Sequence, residues 1–218
     1  MGNFQPIDME TWPMAQAFYY YTQMAPTSYT VNVNIDVTIL RKILKERGYK
    51  FFPAYLYSVT KAISKQPELR VSLQDNILGH WDSLTPAYPQ FHEDDKTTSL
   101  LWTEYHDNFK VFYRQYLADT TQHGRSHGIL SSKGAPPPNA YVISCIPWFT
   151  FESFSIHNHG IKNYYVPSIE AGGFTERSDG KIMMPLSVTV HHATTDGYHL
   201  KEFFEESQQT MNTPHEWL

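Results

Sequence analysis

The chain has 218 residues, 41% of them hydrophobic, which is enough to bury a core without disulfide or metal staples. Its formal net charge of −5 comes with no basic run, which argues against a nucleic-acid partner, and no apolar stretch reaches membrane-spanning length. The lone cysteine, Cys145, cannot close an internal disulfide and suits a reducing cytoplasm.

The first residues, MGNFQPIDMETW, lack the basic region and apolar run of a secretory signal, and Pro6 stands where a myristoylation motif wants Ser or Thr. TVNVNIDV (30–37) alternates strictly, so Val31, Val33, Ile35 and Val37 share one face of a half-buried strand. TILRKILKERG then predicts a helix with Ile39, Leu40, Ile43 and Leu44 on one stripe, cations toward its end and Gly48 as its stop. Pro53 suits the first turn of a second helix, whose inner face carries Leu56, Val59 and Ile63. RVSLQDNILGHW reads as a hairpin turning at Asp75-Asn76.

Farther on, Phe109, Phe112, Tyr113, Tyr116 and Leu117 recur at helical spacing. GAPPPN (134–139) is a stiff loop and AYVISCI (140–146) an apolar strand. KIMMPLSVTVHH predicts a last strand, and LKEFFEESQQTM a closing helix with Leu200, Phe203 and Phe204 inward. No repeat or linker interrupts residues 1–218, which read as one domain. The irregular alternation of strands and helices predicts a mixed β-sheet with packed helices.

Chemistry concentrates in VTVHHATTDGYHL (188–200). Ile182, Met184, Leu186, Val188 and Val190 occupy one strand face, and His192 continues their register. His191 falls on the face of Met183, Pro185, Ser187 and Thr189. A straight strand therefore turns His192 toward the apolar interior, where burial favours the neutral imidazole that a general base requires. Asp196 follows the strand, just ahead of Gly197, and so lies close to His192 in space. The plainer alternative is a core histidine followed by an Asx turn.

HHATTDGYH matches the HHxxxDGxH signature of the chloramphenicol acetyltransferases, and ISCIPWFTFESF (143–154) resembles another of their segments. KFFPAYLYSVTKAI, PELRVSL, the WDS-x-x-P-x-Y run at 81–88, FHE at 91–93 and EYHDNF at 104–109 continue the likeness, in order, from Trp12 to Met211. The shorter HxxxDG element is shared with dihydrolipoyl acyltransferase domains. The resemblance implies an α/β two-layer sandwich assembled as a homotrimer, with active sites at subunit interfaces. It implies acetyl-CoA as co-substrate and direct transfer of acetyl to a small-molecule acceptor, with His192 as base, Ser144 as oxyanion donor and Asp196 as organiser of the loop. Lys50 matches a family lysine near the 3′-phosphate of coenzyme A, and Trp148 lies in the segment that flanks the pantetheine channel in that family. Tyr20, Tyr21 and Phe154 correspond to aromatic walls of the acceptor pocket.

The chain also departs from that family. Met14 replaces the arginine that pairs with the motif aspartate, and Glu170 replaces a threonine that helps bind the transition state. A carboxylate there repels an oxyanion unless it is protonated or turned away. Gly173 and Phe174 stand for a lysine and a tyrosine, removing a phosphate-side cation, and Ser131 stands for an aromatic. SIHNHG (155–160) is more polar than its counterpart. The resemblance implies chloramphenicol as acceptor, whereas these changes point to another small alcohol, amine or xenobiotic, or to a catalytically impaired binding trimer. No metal is expected at His157, His159, His191 and His192 with Glu170, because the HxH lies in a loop and no CxxC accompanies it. Cys145, in an apolar strand with no basic residue near it in sequence, reads as a small buried hydrophobe.

Overall fold

A computed structural model describes residues 2–158 and 164–218. Its strands are Phe4–Pro6 (β1), Ser28–Asp36 (β2), Val71–Gln74 (β3), Ile77–Trp81 (β4), Thr85–Phe91 (β5), Thr98–Trp102 (β6), Ala140–Ile146 (β7), Ser168–Gly172 (β8), Thr175–Glu176 (β9) and Ile182–His191 (β10). Its α-helices are Ala15–Tyr19 (α1), Thr38–Arg47 (α2), Phe51–Ser64 (α3), Phe109–His123 (α4) and Gly197–Asn212 (α5). No described helix is long and apolar enough to cross a membrane.

A seven-stranded mixed sheet runs β2-β10-β8-β7-β5-β6, with β9 beside β10. The β5–β7 and β7–β8 pairs are parallel, and the others are antiparallel. A smaller three-stranded sheet, β1-β4-β3, contains the hairpin read from the sequence. Asp75 and Asn76 have φ of 49° and 64°, the left-handed pair that a tight two-residue hairpin turn needs.

The register sorts the large sheet into two unlike faces. Val31, Val188, Ile169 and Ile143 line up across four strands and join one apolar core with Leu56, Val59 and Ile63 of α3 and with Leu200 and Phe203 of α5. On the other face the matching row is Asn32, Ser187, Glu170 and Ser144. The loop after β7 covers that row, where the Ser187 hydroxyl donates to the Phe154 carbonyl at 2.6 Å and the Phe154 N–H donates to Asn32 Oδ1 at 3.1 Å.

The α2 stripe needs correcting. Leu40 and Leu44 are buried, but Ile39 is 48% exposed, because the first turn of α2 presents that position to solvent. Gly48 ends the helix as expected, at φ 71°. Helix α3 begins two residues before Pro53, which therefore sits inside its first turn.

Candidate active site

Strand β10 ends at His191, and His192 stands one residue beyond it. The backbone N–H of His192 donates to the Thr27 carbonyl at 2.9 Å, which pins the residue to the segment leading into β2. Its ring stacks on Tyr21, with centroids 4.1 Å apart and planes at 17°, and meets Tyr29 edge-on at 5.0 Å. Tyr29 lies on the apolar face, opposite Val190, so the imidazole emerges on the side that the strand phase predicts. Tyr21 reaches it because the chain after α1 widens into a π-helical turn, in which the Ala25 N–H bonds to the Tyr20 carbonyl at 2.9 Å. Tyr20 packs edge-on against Tyr21 at 5.1 Å and is itself exposed. Nδ1 of His192 is buried without a hydrogen-bond partner, which leaves Nε2 as the nitrogen able to meet a substrate.

The loop that follows is tied down at both ends. Thr194 and Thr195 donate backbone N–H bonds to the His191 carbonyl, at 3.1 and 3.2 Å, and the Tyr29 hydroxyl donates to the Thr195 carbonyl at 3.3 Å. Burial, with a smaller contribution from Asp196, pushes the Tyr29 phenol up to about 12, so it remains a donor. Asp196 caps α5, accepting from the Tyr198 and His199 N–H groups at 2.9 and 3.2 Å. Its imidazole neighbour is His199, whose Nδ1 lies 3.0 Å from Oδ1 and whose Nε2 lies 3.8 Å from Glu68. The His199 Nδ1 accepts from the Asp196 N–H at 3.2 Å, completing a capping box, and the helix terminus and partial exposure accommodate the carboxylate. Nothing lies within 4 Å of where a Cβ on Gly197 would stand, so the cap, and not a missing side chain, sets the helix start.

Ser144 lies far from this end of the chain. It pairs with Glu170, which pairs with Ser187, and His192 stands five positions past Ser187. At about 3.3 Å per residue along a strand and about 4.8 Å between strands, the two backbones are about 19 Å apart. The Ser144 carbonyl accepts from the Tyr55 hydroxyl at 3.2 Å, which places it beside the first turns of α3. Lys50 caps that helix and is exposed. Trp148, just past β7, is 65% exposed and meets Phe91 edge-on at 5.1 Å. Phe154 packs on Phe151 and covers the Ser187 row, so this chain does not bring it against Tyr20 and Tyr21. Two groups of candidates therefore occupy different ends of the sheet.

Around Ser144 the departures take definite form. Glu170 is fully buried; its Oε1 accepts from the Ser168 hydroxyl at 2.7 Å and its Oε2 is unpartnered. Burial raises its carboxyl to about 7, and the Ser168 bond offsets only part of that rise. Phe174 meets Phe51 edge-on at 4.9 Å and carries the Arg41 guanidinium 4.3 Å above its ring. Arg41 is a cation that the sequence reading missed; its helical position gave no sign that it would fold over Phe174. Ser131 is buried beside Lys133, which pairs with Asp119 at 2.6 Å. Burial lifts the Cys145 thiol to about 11, far from nucleophilic use. His159 and Gly160 of the SIHNHG stretch lie outside the described residues.

A cavity of about 640 Å³ opens beside the other histidine, lined by His191, Tyr165, Thr22, Thr27, Ser168 and Thr189 among others. The His191 ring meets Tyr165 edge-on at 5.2 Å, and its Nδ1 accepts from the Ala193 N–H at 3.1 Å. Burial, then the neighbouring His192, lowers its tendency to protonate. None of His192, Ser144, Lys50 and Trp148 lines this cavity.

The family model for chloramphenicol acetyltransferase matches residues 2–208. The chain belongs to the chloramphenicol acetyltransferase family. A chloramphenicol acetyltransferase from Staphylococcus aureus is 36% identical over 217 residues, covering 99% of each chain. One from Clostridium perfringens is 35% identical over 217 residues, covering 99% of this chain and 98% of that one. A solved chloramphenicol acetyltransferase superposes with a TM-score of 0.83 at 21% identity, covering 96% of this chain and 100% of the other. The cubic core of the pyruvate dehydrogenase multienzyme complex shares the fold more loosely, at TM-score 0.64 and 13% identity over 99% of this chain and 94% of that one. Family membership thus spans both groups of candidates and the sheet between them.

Proposed function

We propose that the chain, acting as one domain, is an acetyl-CoA-dependent O-acetyltransferase of the chloramphenicol type, with His192 as general base. Family membership over residues 2–208 carries this reading, and the aromatic seat of His192 supports it. Nε2 of His192 takes the proton of an acceptor hydroxyl, and the oxygen attacks the thioester carbonyl. The C–S bond then breaks and the coenzyme thiolate recovers the proton from the imidazolium. Ser144 donates to the tetrahedral oxyanion, with neutral Glu170 in the same row where an ionised carboxylate would repel it. Lys50 and Arg41 supply cations for the nucleotide phosphates of coenzyme A, and Trp148 flanks its pantetheine arm. Asp196 holds the loop behind the base. Tyr20 and Tyr21 form the acceptor wall on the base side, and Phe154 forms it on the Ser144 side.

The separation of about 19 Å between base and oxyanion donor in one chain supports a homotrimer in which His192 of one subunit faces Ser144 of the next. The single cysteine suits a cytoplasmic setting. Chloramphenicol is the first acceptor to test, and the polar Ser131 and Glu170 favour trying other small alcohols and amines beside it.

A second reading places the reaction at His191, because that imidazole lines the cavity. Coenzyme thiol release, followed in wild type, His192→Ala and His191→Ala, separates the two. Losing a positioned base costs on the order of a hundredfold or more. His192→Ala is expected to show that loss and His191→Ala a small one; the reverse result moves the chemistry to the cavity.

A further inference from the structure

We infer that His92, Asp94 and His127 form a binding site for one divalent transition-metal ion of the zinc class, apart from the candidate active site. His92 follows β5 at the mouth of the turn into β6, where it accepts from the Lys96 N–H and donates its own N–H to the Thr97 carbonyl, each at 2.9 Å. His127 comes from a distant loop. That loop runs beside β6, the Leu100 N–H bonding to Ile129 at 2.8 Å and the Ser131 N–H to Leu100 at 3.0 Å, so it is laid across the turn. The two imidazoles stack with centroids 4.2 Å apart.

One ligand atom from each of the three residues lies within 4.8 Å of the others. His127 Nε2 and Asp94 Oδ2 are 3.3 Å apart. Two ligands at zinc bond lengths of about 2.0–2.1 Å and a tetrahedral angle stand about 3.4 Å apart, so this pair already has the spacing. Three protein ligands leave a fourth position for water.

Partners of the ligands argue for metal more strongly than the ligands themselves. His127 Nδ1 is 2.7 Å from Asp95 Oδ2, and Asp95 is fixed in turn by the Thr97 N–H at 3.0 Å and the Thr97 hydroxyl at 2.7 Å. An imidazole donating Nδ1–H to a carboxylate presents its Nε2 lone pair, the usual arrangement behind a metal-bound histidine. His92 is buried, and its Nε2 engages the buried Ser99 hydroxyl at 3.0 Å, which leaves Nδ1 as the coordinating nitrogen. Glu93 pairs with Lys96 at 2.6 Å and is not among the three ligands. A bound ion would clip the β5–β6 turn to the loop ahead of Ser131.

The competing account is a protonated His127 held between two aspartates, and a titration distinguishes them. Chain stripped with EDTA is titrated with Zn²⁺ by calorimetry and with Co²⁺ while visible absorption is followed. One ion per chain and the intense absorption of tetrahedral cobalt are expected. Asp94→Asn and His127→Ala should each lose more than about a hundredfold in affinity, and Asp95→Asn about ten- to a hundredfold. Zn²⁺ should raise the melting temperature of wild type and leave that of His127→Ala unmoved, with acetyl transfer preserved in all three variants. Asp94→Asn keeps shape and size, so it reads the site even if His127→Ala folds poorly. Unchanged binding in both ligand variants, or no binding by wild type at about 1 mM Zn²⁺ (affinity below about 4 kcal/mol), overturns the assignment.

Discussion

The two sides of strand β10 have unlike jobs. On the helix side, Leu186 and Val188 are fully buried among apolar neighbours from α3 and α5. On the other, Ser187 is equally buried, but its neighbours are the Phe154 carbonyl, Asn32 and the carboxyl of Glu170. Each large apolar side chain on the first side contributes about 1.5–3 kcal/mol through burial. Each hydrogen bond on the second contributes about 0.5–1.5 kcal/mol net, and leaves a costly orphan if its partner is lost. The apolar side holds the sheet rigid, so the polar side can carry the Glu170 and Ser144 row, whose groups gain little stability from their position, while His192 leaves the apolar face only past the end of β10.

Removing bulk from the apolar side tests that division most severely. Leu186→Ala should cost about 2–5 kcal/mol in denaturant unfolding, since a packed core closes poorly around the gap. A loss under 1 kcal/mol would mean that the helix side is not the stabilising one.

On the polar side the sign depends on pH. Burial holds the Glu170 carboxyl at about 7 in the folded chain, above its ordinary value of 4.5. The native chain therefore keeps a proton that the unfolded chain releases, and stability falls as pH rises between those values. The stabilising share is complete below 4.5 and gone above 7. Wild type should lose up to about 3 kcal/mol across that window relative to Glu170→Gln, with the two nearly equal at the acidic end. Parallel unfolding curves at both ends would show that Glu170 ionises freely. Ser187→Ala, the mildest probe, should cost about 1 kcal/mol by freeing the Phe154 carbonyl, read by denaturant midpoint at unchanged slope.

The sequence was most legible where one periodicity ran unbroken. The alternation through β10, the helical spacing in α3 and α5 and the Asp75-Asn76 turn all appear as read. β5 was hidden because Pro86 and Pro89 interrupt it, and proline is a poor sign of a strand with neighbours on both sides. β8 is five residues long, with a glutamate at its centre and a glycine at its end. At the site, the phase of His192 could be counted from the strand, and the neighbour of Asp196 stood three residues along in the same motif. Tyr29 was reachable too, two residues before Val31 on the same face. Tyr21 depends on a π-helical turn that no spacing announces, and Arg41 over Phe174 joins segments far apart in the chain. His92 and His127 escaped notice for the same reason: a loop crossing, not a pattern, unites them.

The longest-range pairing in the sheet has a consequence for how the molecule comes into being. β2 lies near the start of the chain and pairs along its whole length with β10, near the end. Such non-local closure is slow, because the intervening chain must be gathered before any contact rewards it. During synthesis β2 emerges early and waits, edge exposed, until almost everything else has left the ribosome. A nascent chain cut short before residue 182 lacks β10 altogether, leaving β2 and β8 without the strand between them.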